Sequence, residues 1–224
     1  YNKILQAALL SWMGYDGTLA GTSGEEKRYY QKWYTFSEIL GNRDCLPMKN
    51  KYVYYGQIQI VLSFPQTDTH EAIVKAAESR RPLRLGWEYV EFKGCSIIEE
   101  EIEEEILVET LSPLSVYELF EKEDGRKSAY YYSPFDEGFS SYIREDLLSK
   151  HIELYGREPE DTRFEIQLVS ADKLSQATVW YNNFFVRGWH GQFIIRGSKE
   201  LLSLALHVGL GERNNIGMGC IVRV

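Results

Sequence analysis

The sequence predicts an α+β protein of two tandem ferredoxin-like (βαββαβ) units, and three observations carry that prediction. Segments with the helical apolar period alternate with segments of period two. The first half has the order helix, strand, strand, helix, strand, which becomes βαββαβ if a first strand, missing from this sequence, precedes Tyr1. The second half repeats a variation of that order to the C-terminus. With 224 residues, 44% of them hydrophobic, the chain can form two domains of about 100 residues with buried cores. The boundary falls near residues 94–107, giving units 1–98 and 99–224.

In "NKILQAALLSWM", residues 2–13, Ile4, Leu5, Ala8, Leu9, Trp12 and Met13 recur at helical spacing, and Gly14 supplies a stop. "GYDGTLAGTSGEE", residues 14–26, has four glycines and no period, as a loop does. "YYQKWYTFSEI" (29–39) and "KYVYYGQIQIVLSF" (51–64) are aromatic and roughly alternating, as strands are. "TDTHEAIVKAAESRR" opens on Asp68 with Glu71 three residues later, a capping-box start, and then sets Ala72, Ile73, Ala76 and Ala77 on one helix face. "LRLGWEYVEFKGCSII" (83–98) returns to strand character.

In the second half, "ILVETLSPLSVYEL" reads as a strand broken around Ser112 and Pro113, and "SAYYYS" as another strand. Residues 138–156 space Tyr142, Ile143, Leu147, Leu148, Ile152 and Leu154 as a helix. "RFEIQLVS" alternates, and "TVWYNNFFVRGWHGQFIIRG" (178–197) predicts a hairpin. "SKELLSLALHV" is a short helix with Ser198 as N-cap, and "GCIVRV" a closing strand.

Composition narrows the function classes. No stretch approaches the roughly 18 apolar residues of a bilayer span, and no signal peptide is recognisable, so the expectation is a cytoplasmic protein without a membrane partner. Because the chain starts at Tyr1 without a methionine, native residues are expected to precede it. Cys45, Cys95 and Cys220 are far apart and form no C-x-x-C pair, which fits reduced thiols. A net charge of -8 argues at first against nucleic acid. However, "EEEIEEE", residues 99–105, carries six of the 33 acids, leaving 27 acids against 25 bases, and the distribution of charge matters more than its sum. With no histidine or Asp/Asn/Gly pattern beside it, that run reads as a solvated segment rather than a metal site, and no metal or other cofactor is expected.

"VGLGERNNIGMG", residues 208–219, sets Gly209, Gly211, Gly217 and Gly219 around a polar centre of Glu212, Arg213, Asn214 and Asn215. Phosphate loops of the P-loop and Rossmann kinds run from strand to loop to helix, so that the anion meets a helix N-terminus. Here the loop follows a helix and precedes a strand, and no Gly-Lys-Ser/Thr follows, which excludes the nucleotide loop. Gly209 suits a helix C-cap. Four glycines exceed what one turn needs and permit close backbone approach to a ligand.

The stretch "GWHGQFIIRGSKELLSLALHVGLGERNNIGMGCIVRV", residues 188–224, resembles the C-terminal signature of the CRISPR repeat-processing endoribonucleases, in the superfamily of repeat-associated proteins with tandem ferredoxin-like domains. Weaker agreement covers "YNKILQAALLSWM", "YTFSEILG" and "ETLSPLSVY". The resemblance implies a metal-independent endoribonuclease that binds CRISPR repeat RNA and cuts precursor transcripts into guide RNAs. A ribose 2'-hydroxyl attacks the adjacent phosphate, the 5'-oxygen leaves, and a 2',3'-cyclic phosphate remains. Such a step needs a base, an acid and positive charge.

Many members place a histidine in the loop after the first helix, but this sequence has Ala20 there, and residues 1–64 contain no histidine. Either a histidine was changed to alanine to trap uncleaved RNA, or this is a naturally inactive or differently equipped member; a non-catalytic RNA-binding subunit of an interference complex is the alternative function. Tyr29 and then Lys27 are the candidate catalytic partners, with Arg28, Tyr30 and Lys32 beside them. Candidates for RNA contact are Arg187, His190, Arg196, Lys199, Arg213, Asn214 and Asn215, together with Gly209, Gly211, Gly217 and Gly219, which in the family also pack the two domains together. Aromatics, 14% of the chain, offer surfaces for stacked bases and for a homodimer.

Overall fold

The computed structural model describes residues 1–13, 33–46, 51–65, 68–80, 82–98, 101–181 and 183–224. The second half is built on a four-stranded antiparallel sheet of β7 (Glu105–Thr110), β10 (Phe164–Leu168), β13 (Gln192–Gly197) and β14 (Ile221–Arg223), in the spatial order β10-β13-β7-β14. Counted within this half, the order is second, third, first, fourth. That is the split βαβ arrangement, because the two crossover helices return each strand one place beyond its neighbour. Those helices are α3 (Phe139–Tyr155) and α4 (Lys199–Val208).

Alternation decides which face the helices cover. Ile106, Val108 and Thr110 of β7, Phe164 and Ile166 of β10, and Phe193 and Ile195 of β13 are buried, and the apolar ones pack with Ile143 and Leu147 of α3 and Leu201, Leu202 and Ala205 of α4. Their neighbours Glu105, Leu107, Glu109, Glu165, Gln167, Gln192, Ile194 and Arg196 fall on the opposite face. α3 ends at Gly156, in the left-handed region at φ 69. α4 starts at Ser198, whose hydroxyl accepts the Leu201 N–H.

Two hairpins stand outside this sheet: β8 (Tyr117–Glu121) with β9 (Lys127–Tyr131), and β11 (Ser175–Tyr181) with β12 (Phe184–His190). The hairpin expected over 178–197 is thus shifted. β12 closes on β11, and β13 turns away at Gly191 to enter the sheet. β7 and β8 are the two parts of the strand broken at Ser112 and Pro113.

The first half contains α1 (Asn2–Trp12), β1 (Thr35–Phe36), β2 (Leu40–Leu46), β3 (Lys51–Gln59), β4 (Leu62–Ser63), α2 (Asp68–Glu78), β5 (Leu83–Leu85) and β6 (Glu88–Val90). Both helices stand where the period puts them. Leu5 and Leu9 of α1 pack on Tyr34, Phe36 and Ile39. The strands differ from the expectation in three respects. Of residues 33–39 only Thr35–Phe36 forms a strand, paired with β4, and residues 29–32 lie outside the described residues. β2, which the sequence pattern leaves unassigned, pairs with β3 across a register shift at Leu40/Asn42. The stretch 83–98 folds back at Gly86, φ 67, into the short pair β5–β6, so it is not one strand. Among the described residues no helix is long and apolar enough to cross a membrane.

Candidate nucleic-acid interface

The glycine-rich segment after α4 is folded inward. Gly209, Gly211, Gly217 and Gly219 are all buried, with φ from 65 to 85. Backbone amides of this segment are spent within the protein: Leu210 donates to Gly219 O, Glu212 to Ser115 O, Gly217 to Asn214 O and Gly219 to Pro113 O. Two of the glycines show why a side chain is not tolerated. A Cβ on Gly219 would strike the Leu210 carbonyl, and one on Gly217 would sit 2.7 Å from Phe36 Cζ.

That inward packing ties the second half to the first. Asn2 of α1 donates through Nδ2 to the carbonyls of Ile216 and Gly217 at 3.0 and 3.2 Å. Gln6 donates to Asn215 O at 2.7 Å and accepts from the Tyr181 hydroxyl, and Thr35 donates to Met218 O at 2.8 Å. Asn214, buried, donates through Nδ2 to Leu210 O and Met218 O, bridging the two arms of the loop.

Arg213 is the exposed residue at the tip, and its backbone is left-handed at φ 63 and ψ 30. Its Nε donates to the Tyr117 hydroxyl at 2.8 Å, and its guanidinium carbon lies 5.7 Å from the Tyr117 ring centre and 5.6 Å from that of Phe184. The Tyr117 hydroxyl also meets the Glu212 carboxylate. Burial raises the pKa of Glu212, offset in part by that bond and by Arg213 and Lys150. Tyr117 is itself raised by burial and by Glu212, against Arg213. On the other face of the β11–β12 hairpin the guanidinium of Arg187 lies over Phe185, 5.3 Å from the ring centre, and Phe185 meets Trp180 edge-on. Tyr131 packs on Tyr117 and donates to Phe185 O; burial raises its pKa, against Arg187 and Arg213.

The sequence candidates therefore separate. Arg187 lies over Phe185 on one face of the β11–β12 hairpin, and Arg213 meets Phe184 on the other. Asn214 is buried in the loop next to Arg213, and Asn215 is half-buried with its carbonyl taken by Gln6. His190 points instead to the first half, its Nε2 3.7 Å from Glu38 Oε1, and the nearby imidazole holds Glu38 below the ordinary carboxylate range, against burial. Arg196 lies on the sheet face away from the helices, bonded to Glu105 at 2.5 Å and Gln167 at 3.1 Å. Lys199 is exposed on the first turn of α4. His151 is fully buried, and His207 bonds Ser203 within its own helix. Ala20, Lys27 and Tyr29, with Arg28, Tyr30 and Lys32, lie outside the described residues. Sequence reasoning missed Tyr117, Tyr131, Phe184 and Phe185. Their signal was a set of aromatics beside "ETLSPLSVY" and in the 178–197 hairpin, indistinguishable there from core.

A comparison with protein families matches residues 97–222 to the C-terminal domain of the CRISPR-associated protein Cas6. Among curated proteins, a CRISPR-associated endoribonuclease-like Cas6 protein of Pyrococcus furiosus is 27% identical over 193 residues, covering 84% of this chain and 78% of its own. A CRISPR-associated endoribonuclease Cas6 of Methanocaldococcus jannaschii is 25% identical over 195 residues, 86% of this chain and 74% of its own. Among solved structures, the product of a Cas6-related gene from Pyrococcus furiosus superposes with a TM-score of 0.85 at 22% identity, covering 100% of this chain and 90% of that one. A RAMP protein that binds different RNA substrates superposes with a TM-score of 0.82 at 23% identity, covering 100% and 91%. The chain shares with these structures the α+β, tandem ferredoxin-like fold.

Proposed function

Since the chain belongs to the Cas6 family of CRISPR-associated proteins, we propose that it is a CRISPR endoribonuclease that binds repeat RNA and cuts precursor transcripts without a metal, leaving a 2',3'-cyclic phosphate. The observation that carries the RNA half of this reading is the seat of Arg213, exposed between the rings of Tyr117 and Phe184, with a second cation, Arg187, over Phe185 on the other face of the β11–β12 hairpin. Cations flanked by open aromatic faces suit unpaired RNA, whose phosphates need charge and whose bases need rings. The exposures of Trp180, at 67%, and Phe184, at 41%, support it, since large apolar rings left in solvent mark contact surfaces. The buried glycines serve this site indirectly, by holding the loop against α1 and β1. We place the domain boundary between residues 98 and 99.

The cleavage half rests on the stretch around Ala20, with Tyr29 and Lys27 as the partners for proton transfer. In this reading Ala20 stands where a histidine would act, so the chain binds repeat RNA and cuts it poorly. The test is an Ala20→His variant given the cognate repeat with EDTA present, with binding followed by gel shift. Metal-independent cleavage gained with histidine is the expected result. Binding without cleavage would transfer the chain to the alternative, a non-catalytic RNA-binding subunit, and no binding at all would remove the RNA reading altogether.

A further inference from the structure

Lys150 of α3 is a half-buried cation outside the patch just described, with 11% of its side chain exposed. Its ammonium donates to Gly211 O at 2.6 Å and to Asn214 Oδ1 at 2.7 Å, lies 2.6 Å from Asp146 Oδ2 one turn earlier on α3, and reaches Gly209 O at 3.4 Å. Two of its three N–H groups donate to Gly211 O and Asn214 Oδ1, and the Asp146 carboxylate balances its charge as an ion pair. Two of the acceptors are carbonyls just past the C-terminus of α4, where unpaired C=O groups and the negative end of the helix dipole gather, so a cation there neutralises the loop from below.

The same contacts bear on Arg213. Left-handed backbone costs a residue with a Cβ about 1–2 kcal/mol, and Arg213 adopts it at φ 63. The residues around it are fixed. Gly211 O is held by Lys150, Glu212 N by Ser115 O, and Asn214 accepts from Lys150 on one side of its amide while donating to both arms of the loop on the other. Resting on the reading of Arg213 as an RNA contact, we infer that Lys150 is a positioning residue: together with Asp146 it presets the strained turn that holds the Arg213 guanidinium between Tyr117 and Phe184. Geometry fixed before binding spares the RNA the ordering of that turn.

The experiment is a double-mutant cycle of K150M and R213A, titrating the cognate repeat RNA at several salt concentrations, with thermal melts of all four proteins. K150M should weaken RNA binding by roughly tenfold, about 1.4 kcal/mol, and lower the slope of log affinity against log salt by about as much as R213A does. In the R213A background K150M should then change affinity less than about twofold, because the contact it positions is gone. A purely structural lysine would lower the melting temperature, leave the slope unchanged and act additively with R213A, and that outcome overturns the inference. If K150M does not fold, K150Q, whose amide keeps two donors, runs the same cycle. A wild-type chain that binds no repeat RNA defeats the functional reading instead, before any variant is compared.

Discussion

Phe36 and Gly217, from opposite halves of the chain, meet so closely that a Cβ on the glycine would lie 2.7 Å from Phe36 Cζ and nearer still to Cε2. Because Gly217 also has φ 81, Gly217→Ala combines backbone strain with overlap against a fully buried ring. It should destabilise the protein by more than about 2 kcal/mol in urea. Phe36→Leu in the same chain should return part of that loss, since the shorter side chain vacates the overlap. Full additivity of the two changes would show that the ring contact is not what fixes this glycine.

Arg213 and Arg196 make opposite predictions although both are arginines of the signature region. Arg213 faces solvent between two rings, whereas Arg196 is engaged by Glu105 and Gln167 on the sheet face that also carries Glu109 and Glu165. Arg213→Ala should weaken repeat RNA about tenfold and reduce the salt slope by roughly 0.7, one phosphate of a single strand. Arg196→Ala should alter affinity less than about twofold. Equal losses from both would extend the interface over the sheet.

Glu212 adds a pH dependence of defined sign. Burial holds its pKa above the usual carboxylate range, more than the Tyr117 hydrogen bond lowers it. A carboxyl raised in the folded state favours the protonated fold, so its charge reduces stability above the folded pKa, and the loss is recovered as pH falls through that pKa. Glu212→Gln should therefore raise the melting temperature at pH 8 and tighten RNA about two- to fivefold by removing a like charge beside the phosphates. Both gains should narrow towards pH 5. A gain independent of pH would point to something other than the carboxylate.

The second half was legible because its elements are local. β7, α3, β10, α4 and β14 each announce themselves by period and by a cap such as Ser198 or Gly156, and their order sets the sheet. The first half was less so. β2 has no buried residue to give it an alternating pattern, and β5–β6 turns on the single conformation of Gly86. For the interface, the sequence singled out Arg213 and gave the glycines two tasks, ligand contact and packing of the two halves, of which the second is visible in their burial against Phe36, Ser115 and Leu210. Neither Lys150 nor Asn2 carries any local sign of its role. Each acts through carbonyls far away in the chain, which only the tertiary fold brings near.

Glu200 predicts where acid unfolds this half. Its carboxylate lies 2.9 Å from Nε2 of the fully buried His151 and 2.5 Å from Arg157, and it accepts the Glu160 N–H at 3.3 Å. Burial alone would raise its pKa, but these partners outweigh burial and hold it below the ordinary value. A depressed carboxyl supplies stability above its unfolded pKa, near 4.3, and loses it as pH falls through the folded pKa. Glu200→Gln should therefore cost roughly 1–3 kcal/mol at pH 7, the worth of hydrogen bonds to a charged group. The gap to wild type should close below about pH 4, as the wild-type carboxylate takes up its proton. Urea midpoints of both proteins across that range give the comparison. A difference that persists at pH 3 would mean that Glu200 stabilises α3 against α4 through its packing and not through its charge.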